Sequence, residues 1–435
     1  VQSGIDVGNW RRWFHLSIIA AIIILRNPDA LFHPQFWAED GTLWYRDAYN
    51  IGAAALVHPA LGYLQTIARL SAFLGTQFPL AWVPAIYAMI AFFIQVLPAG
   101  LLLSKRFDQE LPTWLARLAI AYYYALVPNS YEWNMNVTNA QWHLAFAALL
   151  IIIGRSARTR AWQIVDASIL LISGLSGPFC IFYAPLAVWE VSKDSTKLKV
   201  TYAVLALGCA IVQLYFLFTT ISSRPAVHLD ASFPVLCSLL SHQILFGGIF
   251  GANLSGLFLK NSLLNSNWVA VFLTSSAFVL LLFAFKIGPS AYRKALFFVL
   301  FLLASALIRP ATQENTWLEM SQLGNCDCYF VGPILLVTTL LVLMSSTSIL
   351  QKTATALVFL SFLGVLIDFH FAKNFPTNFA SNAAQFADAK AGTVMVFPEN
   401  PIGWSMVLTK KQIRRWQEQP IHRDIHPEPF LKPLS

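Results

Sequence analysis

At 435 residues, 57% hydrophobic, 14% aromatic and 11% charged, the chain holds less than half the charged residues of an ordinary soluble domain, about 25%. So few charges cannot cover a soluble globule of this size; the apolar content excludes a disordered chain, and 5 cysteines exclude a disulfide scaffold. The net charge of +8, from 29 Lys and Arg against 21 Asp and Glu, then reads as loop topology in a polytopic membrane protein, with no nucleic acid as partner.

Apolar runs suited to about 30 Å of hydrocarbon, at about 20 residues each, fall at 10–26, 80–103, 113–128, 141–154, 200–221, 267–285, 294–308, 329–348 and 354–371. No small-residue cleavage site follows the first run, which reads as a retained span. Residues 162–190 are interrupted by Ser173-Gly174-Leu175-Ser176-Gly177-Pro178. Gly and Pro break a helix there, so two short helices are predicted, 162–173 and 178–190. The fold class is all-α and polytopic, with about eleven transmembrane helices. Short interfacial helices are expected in the first outer loop, 27–79. The transmembrane domain covers 1–371, and 372–435 is a small polar C-terminal tail.

Loop charge sets the orientation. With the N-terminus in the cytoplasm, the inner segments carry Arg11 and Arg12; Lys105 and Arg106; Arg155, Arg158 and Arg160; Lys193, Lys197 and Lys199; Lys286, Arg293 and Lys294; and Lys352. The outer loops, 27–79, 129–140, 222–266 and 309–328, are long and carry only Arg46, Arg69, Arg224, Lys260 and Arg309. That asymmetry is the positive-inside pattern, and splitting 162–190 in two preserves it. The tail then falls outside, with Leu408–Trp416 as an interfacial basic segment.

Chemistry concentrates in the outer loops. The first reads His33-Pro34-Gln35-Phe36-Trp37-Ala38-Glu39-Asp40-Gly41. Adjacent carboxylates beside hydrocarbon are costly unless paired or functional. Glu39 and Asp40 suit a divalent cation, Mg or Mn, or a general base on an acceptor hydroxyl. The competing reading is a helix N-terminus with acids on its dipole and aromatics in the interfacial belt. The second loop, Pro128 to His143, holds Glu132, Asn134, Asn136, Asn139, Gln141, Trp142 and His143 and no Lys or Arg. Amides beside indoles suit a sugar, by hydrogen bonds and stacking; the plainer reading is a helix start capped by Thr138 or Asn139. Freed amides at the 173–178 break suit phosphate, against a simple packed kink. The fourth loop, from Arg309 to Phe330, offers Arg309 for a phosphate leaving group. Cys326 and Cys328, one residue apart and with no second pair, read as structural. No phosphate loop, dinucleotide fingerprint or zinc-protease motif occurs, so the substrate must arrive without a soluble nucleotide fold.

In order along the chain, Phe36–Gly41, Gly62-Tyr63-Leu64, Asn136–Trp142, Gly174–Phe179, Tyr329-Phe330-Val331-Gly332-Pro333 and Asn400-Pro401-Ile402-Gly403-Trp404 resemble the GT-C class of membrane glycosyltransferases. The resemblance implies a GT-C-like bundle that takes a polyprenyl-phosphate-linked sugar and a glycan or lipid acceptor. Transfer would occur on the outer face of a bacterial inner membrane. It also implies Asp40 or Glu39 as catalytic base or metal ligand. Trp37, Tyr63, Arg69, Glu132, Asn136, Asn139, Gln141, Trp142, His143, Ser176, Arg309 and Tyr329 would then line the substrate. In that pattern an Arg often precedes the Tyr-Phe pair; Cys328 stands there, leaving Arg309 or Arg69 for the phosphate. The outer loops and broken helix also suit a flippase for lipid-linked glycans, and an inactive bundle of this kind would serve in assembly.

Overall fold

The computed structural model describes residues 7–220, 229–310, 316–347 and 351–411 and is mostly helical, at 71%. Arg224, residues 312–314 of the fourth loop and 412–416 of the basic stretch lie outside the described residues. The first half runs α1 (Val7–Arg26), α2 (Asp29–Phe32), α3 (Arg46–Ile51), α4 (Thr66–Gly75), α5 (Val83–Leu102), α6 (Trp114–Leu126), α7 (Val137–Ile153), α8 (Arg160–Gly174) and α9 (Cys180–Lys193). The second runs α10 (Lys197–Thr220), α11 (Phe233–Leu240), α12 (Gly247–Phe258), α13 (Asn267–Ile287), α14 (Ser290–Ile308), α15 (Trp317–Met320), α16 (Val331–Thr347), α17 (Gln351–Ile367) and α18 (Phe379–Asp388). A hairpin of β1 (Val394–Glu399) and β2 (Trp404–Thr409) closes the described chain.

Among the described residues, five helices are long and apolar enough to cross a membrane: Leu80–Leu102, Lys197–Thr220, Phe233–Phe258, Asn267–Lys286 and Ser290–Ile308. Four coincide with predicted spans. Phe233–Phe258 corrects the reading of 222–266 as a loop. It is the least apolar of the five. Ser241-His242-Gln243 and the glycines 247, 248 and 251 dilute the apolar signal on which the sequence reading depends. The other predicted spans are helices, but α6, α7, α8, α9, α16 and α17 hold only 13 to 17 residues. α1 has 20 residues and carries Arg11, Arg12 and Arg26.

α7 forms the centre. Every residue from Val137 to Ile153 is buried except Thr138 and Leu150. A helix that is apolar all round needs neighbours on all sides. α5 packs along it, and α4, α8, α9 and α14 complete the cover. In contrast, α13 exposes Trp268, Phe272, Phe278, Val279 and Leu282, a face suited to hydrocarbon.

A buried polar clasp ties helix ends together beside the loops. Arg26 donates to the carbonyls of Ala125 (2.9 Å) and Val127 (2.9 Å) at the end of α6, and of Asp368 (3.4 Å) and Phe369 (3.2 Å) beyond α17. The guanidinium thus satisfies carbonyls that helix ends leave unpaired. The Asp368 carboxylate accepts the N–H groups of Asn129 (3.2 Å), Ala252 (2.5 Å) and Asn253 (3.3 Å). The last two open the helix that restarts after Gly251, whose φ is 76°, so Asp368 caps it. A Cβ on Gly251 would lie 2.5 Å from Asp368 Oδ2, and one on Gly364 would lie 2.5 Å from the Ile249 carbonyl. These two glycines let α12 and α17 cross at backbone distance.

The predicted break is present between α8 and α9, and it is stitched shut. The Leu175 carbonyl accepts the Thr66 N–H (3.0 Å), and Ser176 Oγ accepts the Ile67 N–H (2.9 Å). Gln213 donates to the Gly174 carbonyl (3.0 Å) and accepts from the Leu64 N–H (2.9 Å). These bonds favour the packed kink over an open phosphate site.

The tail residues through 411 fold back onto the first loop. Phe379, Phe397, Met406 and Leu408 are buried, and Phe379 packs edge-on against Phe36 with ring centroids 5.2 Å apart. Lys410 donates to the carbonyls of Phe386 (2.9 Å) and Ala387 (2.7 Å), at the end of α18. Lys411 donates to those of Tyr49 and Asn50, at the end of α3. Both lysines cap helix C-termini.

Candidate functional site

The site lies where the first loop meets the start of α7. Ala38, a residue with a side chain, sits at φ 45°, and this turn delivers Asp40 to the first position of a π-helical segment, Asp40–Tyr45. Its neighbour across the loop is the tail: Ala38 N–H donates to the Asn400 carbonyl (2.5 Å), and Asn400 N–H donates to that of Phe36 (3.1 Å). Asp40 is buried, 3% exposed. Its Oδ1 accepts both the N–H (2.9 Å) and the hydroxyl (2.7 Å) of Thr138, while the Trp44 indole N–H donates to Thr138 Oγ1 (2.9 Å). Trp44, Thr138 and Asp40 therefore form one directed chain of hydrogen bonds.

The helix N-cap is Asn136, whose side chain accepts the Asn139 N–H (2.8 Å). This corrects the expectation of Thr138 or Asn139 and explains it: Thr138 is committed to Asp40. Asn136→Ala is expected to cost about 1 kcal/mol, the usual worth of an N-cap. Thermal unfolding in detergent will show it as a lowered Tm.

Five carboxylates gather here without a basic partner: among the described residues, no Lys, Arg or His forms an ion pair with Glu39, Asp40, Glu132, Asp327 or Glu399. Burial is the main cause that raises each of them. Asp40 is pushed up to about 7, against the Thr138 hydrogen bonds and with the charge of Glu39 adding to the rise. Burial pushes Glu132 up to about 7 and Glu399 up to about 8. Glu39, half-buried, is also raised, and Asp327 lies well above the usual range. Among the described residues, no three His, Cys, Asp or Glu side chains are arranged to hold a metal ion.

A narrow cleft of about 20 Å³, room for about one water molecule, is lined by Trp37, Asp40, Tyr131, Asn134, Asn136 and Asn374, among others. Trp37 meets Tyr131 edge-on at 5.0 Å. A larger groove, about 490 Å³, lies between α11, α12 and α15 and includes none of the predicted site residues.

The remaining predicted residues divide by role. Asn136 and Asn139 each donate to the Glu132 carbonyl (2.8 and 2.7 Å), and the Glu132 N–H donates to Asp327 (2.9 Å). Arg69 is buried behind Trp44, 4.8 Å from its ring centre, and pairs with Asp47 at 2.7 Å. Trp142 packs edge-on against Tyr329 (5.3 Å) and Phe179 (4.8 Å), and Gln141 donates to the Thr138 carbonyl (3.1 Å). His143 is core: one ring nitrogen meets the Tyr124 hydroxyl at 2.6 Å and the other the Trp133 carbonyl at 2.9 Å. Ser176 is held in the stitched break, Tyr63 pairs with Ala60 in a tight turn, and Arg309 sits half-buried at the end of α14.

Comparison with protein-family models and with curated proteins finds no match for this chain.

Three residues of the site were not singled out from sequence. Thr138 was legible only as part of a helix start. Asp327 carries no signal beyond its place between Cys326 and Cys328. Glu399 accepts the Thr42 N–H (3.2 Å) and hydroxyl (2.6 Å) across 357 residues, a separation that leaves no local signal.

Proposed function

We propose that the protein is a GT-C-like membrane glycosyltransferase, moving a sugar from a polyprenyl-phosphate donor to a glycan or lipid acceptor. The reaction would take place on the outer face of a bacterial inner membrane, with about eleven spans and the N-terminus in the cytoplasm. One observation carries the reading: a buried carboxyl, Asp40, lines a cleft walled by amides and aromatic rings, with one oxygen fixed by Thr138. A base whose pKa is pushed up to about 7 is matched to proton removal at neutral pH. Asp40 would take the proton of the acceptor hydroxyl as that oxygen bonds to the anomeric carbon. The sugar–phosphate bond breaks, the polyprenyl phosphate leaves with the electron pair, and the anomeric centre inverts. Were the reaction to use a divalent cation, Mg or Mn, the half-buried Glu39 is the residue that would meet it, and the ion would supply charge to offset the leaving group.

The flippase reading draws on a different observation, the helix broken at Gly251 beside a wide groove. Proteoliposomes given a labelled polyprenyl-phosphate hexose and a lipid acceptor separate the two. Labelled glycolipid is expected with the native chain and not with Asp40→Asn. Labelled donor that changes leaflet without forming product would overturn the transferase.

A further inference from the structure

His143 has both ring nitrogens engaged, and His242 does not. His242 is nine-tenths buried, yet neither of its ring nitrogens has a hydrogen-bond partner among the described residues. Its side chain lines the larger groove, together with Ser238, Asn265, Asn267 and Gln322. The groove is a product of the break at Gly251. Val235 and Leu259 come from the two ends of the broken helix and both line it, whereas a straight helix would hold them about 36 Å apart. At about 490 Å³ the groove has the size of a small-ligand site. No charged side chain lines it among the described residues. Its rim is apolar: Leu318 is largely exposed, and Trp268, next to Asn267, opens the face of α13 that suits hydrocarbon.

We infer that the groove holds one lipid whose head group is uncharged and bears hydroxyls, a glycosyl-diacylglycerol in chemical class, with the head hydrogen-bonded to His242 and the chains laid along α13. An uncharged imidazole offers one donor and one acceptor, the pair that a hydroxyl answers. A phosphate or an ammonium would enter without a counter-charge, which is costly away from water. The rim selects a lipid over a free polyol, because only a lipid carries chains to cover Leu318 and Trp268. The groove shares no lining residue with the Asp40 cleft, so the inference holds whether or not the chain transfers sugar.

Native mass spectrometry of the full-length chain in detergent tests this, with monoglucosyl dioleoylglycerol and dioleoyl phosphatidylglycerol as probes and methyl glucoside as soluble competitor. The glucosyl lipid is expected to bind the native chain at least about tenfold more tightly than phosphatidylglycerol. His242→Leu should lower that affinity about tenfold, the effect of losing one or two hydrogen bonds, and should keep the native Tm because no bond of the fold is removed. Ser238→Trp fills the groove from a half-buried wall position and leaves His242 in place. It should weaken the lipid at least as much, and it decides the matter should His242→Leu fail to fold. Equal binding to the native chain and both variants, a preference for phosphatidylglycerol, no bound glucosyl lipid, or methyl glucoside binding as tightly as the lipid would each overturn the inference.

Discussion

Asp40→Asn is expected to abolish transfer while leaving a chain more stable than the native one at pH 8. The rate loss should be about 10²- to 10⁴-fold, the usual worth of a positioned base. Asparagine keeps an oxygen for both Thr138 donors, so the local fold has no reason to open. The stability sign follows from the direction of the shift. The Asp40 carboxyl moves from 3.8 to about 7 on folding, so the folded chain prefers the protonated form. Native stability therefore falls as pH rises from about 4 to about 7, by at most ~4 kcal/mol if the whole shift is realised. The variant escapes that loss. Its Tm should match the native value near pH 4 and exceed it above pH 7, in thermal scans of both proteins across that range. A variant that is less stable at every pH would mean that Asp40 holds the fold together.

Gly41→Ala should separate the tail from the first loop. A Cβ on Gly41 would lie 1.8 Å from Glu399 Oε1 and 2.9 Å from the Phe36 ring. The glutamate is buried and anchored by Thr42, and Phe36 is wedged against Tyr87 and Phe379, so neither retreats freely. Overpacking of this kind costs about 1–3 kcal/mol. The expected result is faster proteolysis between residues 372 and 411, with transfer lost as well. Glu399→Ala in the same chain should restore part of the loss, a coupling of about 0.5–3 kcal/mol in a double-mutant cycle. Additive losses would show that the two residues do not share the space. Burial also raises Glu399 to about 8, so docking of the tail should weaken as pH climbs from about 4.5 through 8, as the glutamate gains charge.

The helical class and the position of most helices were legible because apolar runs carry their own signal, as the break between α8 and α9 did through Gly174, Gly177 and Pro178. Phe233–Phe258 was not, because its glycines and its Ser-His-Gln centre make sense only against Asp368 and the 320–325 turn. The acidic pair was legible from adjacency alone. What fixes Asp40, Thr138 and Trp44, lies far along the chain or within the π-helical turn, and Glu399 arrives from a tail that composition marks only as polar. His143 shows the opposite failing: its place in an amide-rich segment suggested a sugar contact, whereas Tyr124 and Trp133 occupy both of its nitrogens.

The most direct measurement is the pH dependence of sugar transfer in proteoliposomes, native chain beside Asp40→Glu. If Asp40 is the base, the native rate climbs with pH, bends near 7 and levels off, and the glutamate variant bends at a different pH. A native rate that stays flat from pH 5 to 9, or a bend that the substitution does not move, would contradict it.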